Sequence, residues 1–106
     1  MATIAKGLDV VTLVNVFSVK PADQEKLATL LVEATEKTMK HLPGFVSASI
    51  HKSFDGTKVI NYAQWRSQAD FAAMRDNPKA QPHMKAAAAL ASFEPIVCEV
   101  VDSVGS

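Results

Sequence analysis

The stretch FVSASIHKSFDGTKVINYAQWR, residues 45–66, decides the fold. Two runs rich in β-branched and aromatic residues flank Asp55-Gly56, a strong short-turn signal, so residues 45–53 and 57–66 are read as an antiparallel hairpin. The second run carries an anomaly. Asparagine is depleted in strands because its amide brings polar groups that a half-buried surface must satisfy. Yet Asn61 shares a strand face with Val59, Ala63 and Trp65, the only tryptophan, because side chains alternate with period two.

Working upstream, VVTLVNVFSV (residues 10–19) reads as a strand with two largely apolar faces, which implies that both are covered. One face holds Val11, Leu13, Asn15 and Phe17. Pro21 then opens a helix with Asp23 and Glu25 in its first turn, where acids suit the helix dipole. Leu27, Leu30, Leu31, Ala34, Thr38, Met39 and Leu42 recur at helical spacing, and Pro43-Gly44 ends the helix. Downstream, Ser67 with Asp70 resembles a capping box before a short helix carrying Phe71 and Met74. Asn77-Pro78 interrupts it, and an alanine-rich helix is expected over 81–92. Pro95 breaks that helix, and residues 96–104 read as the last strand.

The order β-α-β-β-α-β is the split βαβ of a ferredoxin-like fold: α+β, one antiparallel sheet with its helices on one face. The expected domain spans 9–104, behind a loose tail over 1–8. Val14, Val16, Ile60 and Tyr62 lie opposite the asparagine face and would form a large exposed apolar patch on a monomer. A homodimer with its two sheets face to face is the expectation.

Composition narrows the function classes. The chain has 106 residues, one domain's worth, and 48% apolar with 21% charged residues is a globular balance. Eleven basic and eleven acidic side chains cancel, with no basic block, which argues against nucleic acid and gives no reason to expect an anionic membrane surface. No run reaches membrane-spanning length and the N-terminus has no apolar signal core, so the cytoplasm is the default. Cys98 is alone, suits a reducing compartment, and reads as a small buried hydrophobe; no CxxC or HxxxH spacing offers a metal site.

The segments VNVFSVKPADQEKLATLLVEATE, LPGFVSASIHKSFDGTKVINYAQWRSQADFAAM and QPHM resemble the antibiotic biosynthesis monooxygenase family, a likeness running from about Val10 to Val101. The resemblance implies a dimeric α+β barrel with a pocket between sheet and helices in each subunit. It implies oxidation of a small aromatic or polycyclic phenol, anthrone or quinol by O2, with no cofactor and no metal. The functional asparagine of the family's first strand and its Asn-x-x-x-Trp on the third match Asn15, Asn61 and Trp65. One branch also uses a tyrosine and an arginine, whose positions fall on Phe71 and Lys85, so the phenol is missing and the guanidinium has become an amine. The haem-degrading branch uses a histidine ligand at the position of Arg75; His83 comes later and would need a gap to serve.

The chemistry suits these residue types. Triplet O2 reacts poorly with closed-shell molecules, but a substrate ionised to a phenolate or enolate can surrender one electron and recombine with superoxide. The protein must promote ionisation, hold the anion and exclude water. Amide and indole N–H groups are neutral donors suited to that anion. Asn15, Asn61 and Trp65 are therefore the expected catalytic set, with Phe17, Met39, Phe71, Met74 and His83 expected to contact substrate. Met84 is read mainly as core, and Arg66 and Arg75 as solvated or attracting an anion. His41 and His51 are expected at the surface, His83 at a helix start with pocket contact or proton transfer open to it. Haem binding or degradation, and a non-catalytic dimeric ligand-binding protein, are the alternatives.

Overall fold

The computed structural model describes residues 2–105. Strand β1 (Val11–Val19) leads through a 3-10 turn, Pro21–Asp23, into helix α1 (Gln24–Lys37). A second 3-10 turn, Met39–His41, precedes β2 (Phe45–Lys52) and β3 (Lys58–Trp65); α2 (Gln68–Asp76), α3 (Gln81–Leu90) and β4 (Ala91–Cys98) complete the domain. The sheet order is β2-β3-β1-β4 with every neighbour antiparallel. This is the ferredoxin-like α+β arrangement, and it puts β1 and β3 at the centre.

Local chemistry makes each turn. The Asp55 carboxylate accepts from the Thr57 backbone N–H at 3.0 Å and from the Ser53 and Thr57 hydroxyls, each at 2.8 Å. Those bonds hold its pKa down at about 2. Gly56 follows with φ +82°, a conformation that costs glycine little. At the other end of the hairpin, Gly44 has φ +83°, and its carbonyl accepts from the Arg66 N–H at 2.7 Å. Ser67 caps α2 by accepting from Asp70 N–H, as its sequence spacing suggests. Arg66 then grips Asp70 through two nitrogens, which with Ser67 holds the Asp70 carboxyl below its ordinary range.

Two clusters fill the space between sheet and helices. Phe17, Val19, Leu27, Val59 and Ala87 form one; Leu13, Ala63, Trp65 and Phe71 form the other. Leu27 and Val59 are fully enclosed. Complete burial of such side chains contributes about 1.5–3 kcal/mol each.

The structure departs from the sequence reading in three places. Helix α1 stops at Lys37, because Thr38 adopts φ −129° and the chain tightens into the 3-10 turn before Pro43. Helix α3 ends at Leu90 and β4 runs 91–98, where a helix to 92 and a strand over 96–104 were expected. Pro95 lies inside that strand rather than breaking a helix. β4 is an edge strand, where a missing N–H is tolerated. Cys98 is half-buried on it rather than enclosed.

On the sheet face away from the helices, Val14, Val16, Ile60 and Tyr62 are half-buried and Ile96 is exposed. Gln64 is enclosed there, accepting from the Ser47 hydroxyl at 2.9 Å and donating to the Thr3 carbonyl at 2.7 Å. The segment before β1 is thereby pinned to the sheet. Its Lys6 also meets Asp102 at 3.7 Å.

Candidate active site

Asn15 and Asn61 are register partners across the central strand pair. Period-two alternation turns both toward the helices, along with Leu13, Phe17, Ala63 and Trp65. Between this face and the helices lies an open-mouthed cavity of about 120 Å³. Alanine creates the room: Ala34 on α1, Ala48 on β2, Ala63 on β3 and Ala87 on α3 all line it.

The walls are mainly apolar, and the exceptions are few. The Oδ1 atoms of Asn15 and Asn61 are both buried without a hydrogen-bond partner. A buried polar atom left unpaired costs about 1–3 kcal/mol, so two side by side call for an explanation. Trp65 is 2% exposed. Phe45 meets its ring edge-on at 5.5 Å between centroids, and Phe71 packs tilted at 6.4 Å. The Arg75 guanidinium sits 5.1 Å over the Phe71 ring, a cation–π contact. His83 lines the opposite wall, its Nε2 2.9 Å from the Thr38 hydroxyl.

All eight residues expected in the catalytic and substrate-contacting sets line this cavity. Asn15, Asn61 and Trp65 do so from the sheet, Phe17 from β1, Met39 from the 3-10 turn, Phe71 and Met74 from α2, and His83 from α3. Met84 and Arg75 also border it. Lys85, His41 and His51 are exposed and outside it. Sequence reasoning missed Phe45, Phe93 and Pro95. Phe93 and Pro95 face Phe17 and Asn15 from β4, and were lost when residues 91 and 92 were assigned to the helix. The alternation of Phe93, Pro95 and Val97 was the signal. Among the described residues, no group of three or more His, Cys, Asp or Glu side chains is placed to hold a metal ion.

Residues 10–90 match the profile of the family described as antibiotic biosynthesis monooxygenase. The chain belongs to this family. It is 51% identical over 106 residues to the tetracenomycin-F1 monooxygenase of Streptomyces glaucescens, an alignment that covers all of this chain and 95% of that protein. Among solved structures, a Streptomyces coelicolor monooxygenase (ActVA-Orf6), crystallised with nanaomycin D, superimposes with TM-score 0.82 at 28% identity, covering 91% of each chain. SnoaB, a cofactor-independent oxygenase from Streptomyces nogalater, gives TM-score 0.73 at 26% identity, covering 93% of this chain and all of that one. The protein is therefore a monooxygenase of the family whose fold it shares.

Proposed function

We propose that this monooxygenase oxidises a small aromatic or polycyclic phenol, anthrone or quinol with O2 and without a cofactor. The observation that carries the reading is the pair of unpartnered amide oxygens on adjacent strands, facing an apolar cavity. Membership in the family, and likeness to a tetracenomycin-F1 monooxygenase and to a cofactor-independent oxygenase, support the substrate class and the absence of a cofactor.

Each amide presents one acceptor and two donors. Asn15 and Asn61 accept from phenolic O–H groups on the bound ring edge, and either amide, turned by half a rotation, donates to the phenolate that forms. The Trp65 indole adds a donor on the same sheet face. The Arg75 guanidinium offsets charge that develops near the α2 wall. Phe17, Phe45 and Phe71 stack around the ring system, and Met39, Met74 and Met84 adapt to its outline. In the net reaction a ring methylene and one O2 become a ring carbonyl and one water. The methylene carbon loses four electrons, O2 gains them, and the substrate anion supplies the first to O2.

The same reading includes a cytoplasmic homodimer. Val14, Val16, Ile60, Tyr62 and Ile96 form an apolar face that suits a second sheet. Light scattering at micromolar protein reads the mass directly, and a clean monomer would remove the dimer from the proposal. For the reaction, chelator-treated protein should consume one O2 per anthrone and yield the quinone. No oxygen uptake across a panel of anthrones and hydroquinones would sink the assignment.

A further inference from the structure

We infer that His83 is the general base that ionises the substrate, and that Thr38 is the positioning residue that sets its tautomer. The inference rests on the proposed oxygenase reading and adds the proton acceptor that reading lacks.

Of the described side chains that line the cavity, only Arg75 and His83 are ionisable. A guanidinium keeps its proton and cannot act as a base. Imidazole is the side chain suited to taking up a proton near neutral pH. Asn15, Asn61, Thr35 and Trp65 hydrogen-bond without accepting a proton outright. His83 is therefore the one base that the walls supply.

The surroundings of the ring agree. His83 lies in the first turn of α3 and lines the cavity, whereas Thr38 lies behind it, outside the lining, where α1 gives way to the 3-10 turn. Thr38 Oγ1 lies 2.9 Å from His83 Nε2. In the proposed tautomer Nε2–H donates across this contact, which leaves Nδ1 without a hydrogen as the acceptor. A base held by a third group is the arrangement by which proteins fix an imidazole for proton abstraction. Among charged groups on the packed elements, Arg75 of α2 shares the cavity. Lys37 of α1, Lys40 of the 3-10 turn and Lys85 of α3 are exposed.

The step balances simply. The anthrone reacts as its anthrol tautomer, in which one methylene hydrogen has moved to the ring oxygen. That O–H bond breaks, a bond from Nδ1 to hydrogen forms, and the electron pair stays on the substrate as the anthrolate, a phenolate. After O2 adds at the former methylene carbon, which now carries one hydrogen, the imidazolium returns its proton to the peroxide. The hydroperoxide then loses water to leave the carbonyl, and His83 is neutral again.

The experiment is an anaerobic titration of an anthrone into the intact protein at pH 7, read by the phenolate absorption band, beside kcat/KM against pH under air. The wild type should develop the phenolate band on binding. His83→Gln should bind the anthrone without the band, slow by about a hundredfold or more at pH 7, and recover towards high pH, where the phenol ionises unaided. Thr38→Val should weaken the band and lower the rate less. A His83→Gln enzyme with an unchanged band and pH profile would overturn the proposal while leaving the oxygenase reading intact. A wild type that takes up no oxygen would instead overturn that reading. Should His83→Gln fail to fold, wild-type profiles with anthrones of graded acidity decide. An enzyme limb that stays in place as substrate acidity changes supports His83, and one that tracks the substrate overturns it.

Discussion

Replacing Asn61 with leucine should make the protein more stable and less active at once. Asn61 sits between Asn15 on β1 and Ile50 on β2, its Oδ1 buried and unpaired. An unsatisfied buried polar atom costs about 1–3 kcal/mol, and a near-isosteric apolar replacement removes that penalty. Leucine also gains contact with the aliphatic Ile50. A net gain of about 1–2 kcal/mol is expected, which for a domain of this size raises Tm by roughly 5–15 °C. Losing the amide should lower kcat about a hundredfold or more, as removal of one anion-stabilising donor does elsewhere. The assay pairs far-UV circular dichroism melts at fixed subunit concentration with an oxygen electrode. Asn15→Leu should behave alike, and the double variant should not be additive, because the two amides touch the same space. A lower Tm together with an unchanged rate would refute the reasoning, since the amide would then be a structural brace rather than a ligand group held in waiting.

Trp65→Phe should lower kcat by about two orders of magnitude with the melt nearly unchanged, because the ring volume largely remains while the N–H donor is lost; stopped-flow turnover measures it. Gly44→Ala should destabilise the fold by more than about 1 kcal/mol, since φ +83° strains any Cβ and the new methyl would collide with the Asp70 side chain, which Arg66 and Ser67 hold in place; chemical denaturation reads the loss. The depressed carboxyls of Asp55 and Asp70 contribute stability that is present above the ordinary value of 3.8. For Asp55 it is lost as pH falls through about 2. Asp55→Asn should therefore melt less steeply with acid than the wild type between pH 4 and about 2.

Much of this architecture is legible in the residues themselves. The Asp55-Gly56 turn, the leucine spacing of α1 and the Ser67 cap each have a local cause, and local causes survive folding. The amides were conspicuous because they break a strand's apolar alternation. What stayed hidden depends on distant partners. Pro95 looks like a helix breaker until β1 is known to lie beside it, and only then do Phe93 and Pro95 become part of the cavity wall. The contact between Thr38 and His83 joins residues with no shared motif. Cavity size follows from alanines on four separate elements, a sum that no single window of sequence displays.

The placement of β1 at the centre of the sheet also bears on how the molecule assembles. This strand must wait for both of its neighbours, and Asn15 finds Pro95 only after about eighty further positions of chain. Until β4 arrives, one flank of β1 has bare amide and carbonyl groups beside an apolar surface, a state open to wrong pairing with other chains. Folding should accordingly be slow for so small a molecule, and chaperone demand should be greatest for variants that weaken the 91–98 segment, even those that leave the cavity untouched.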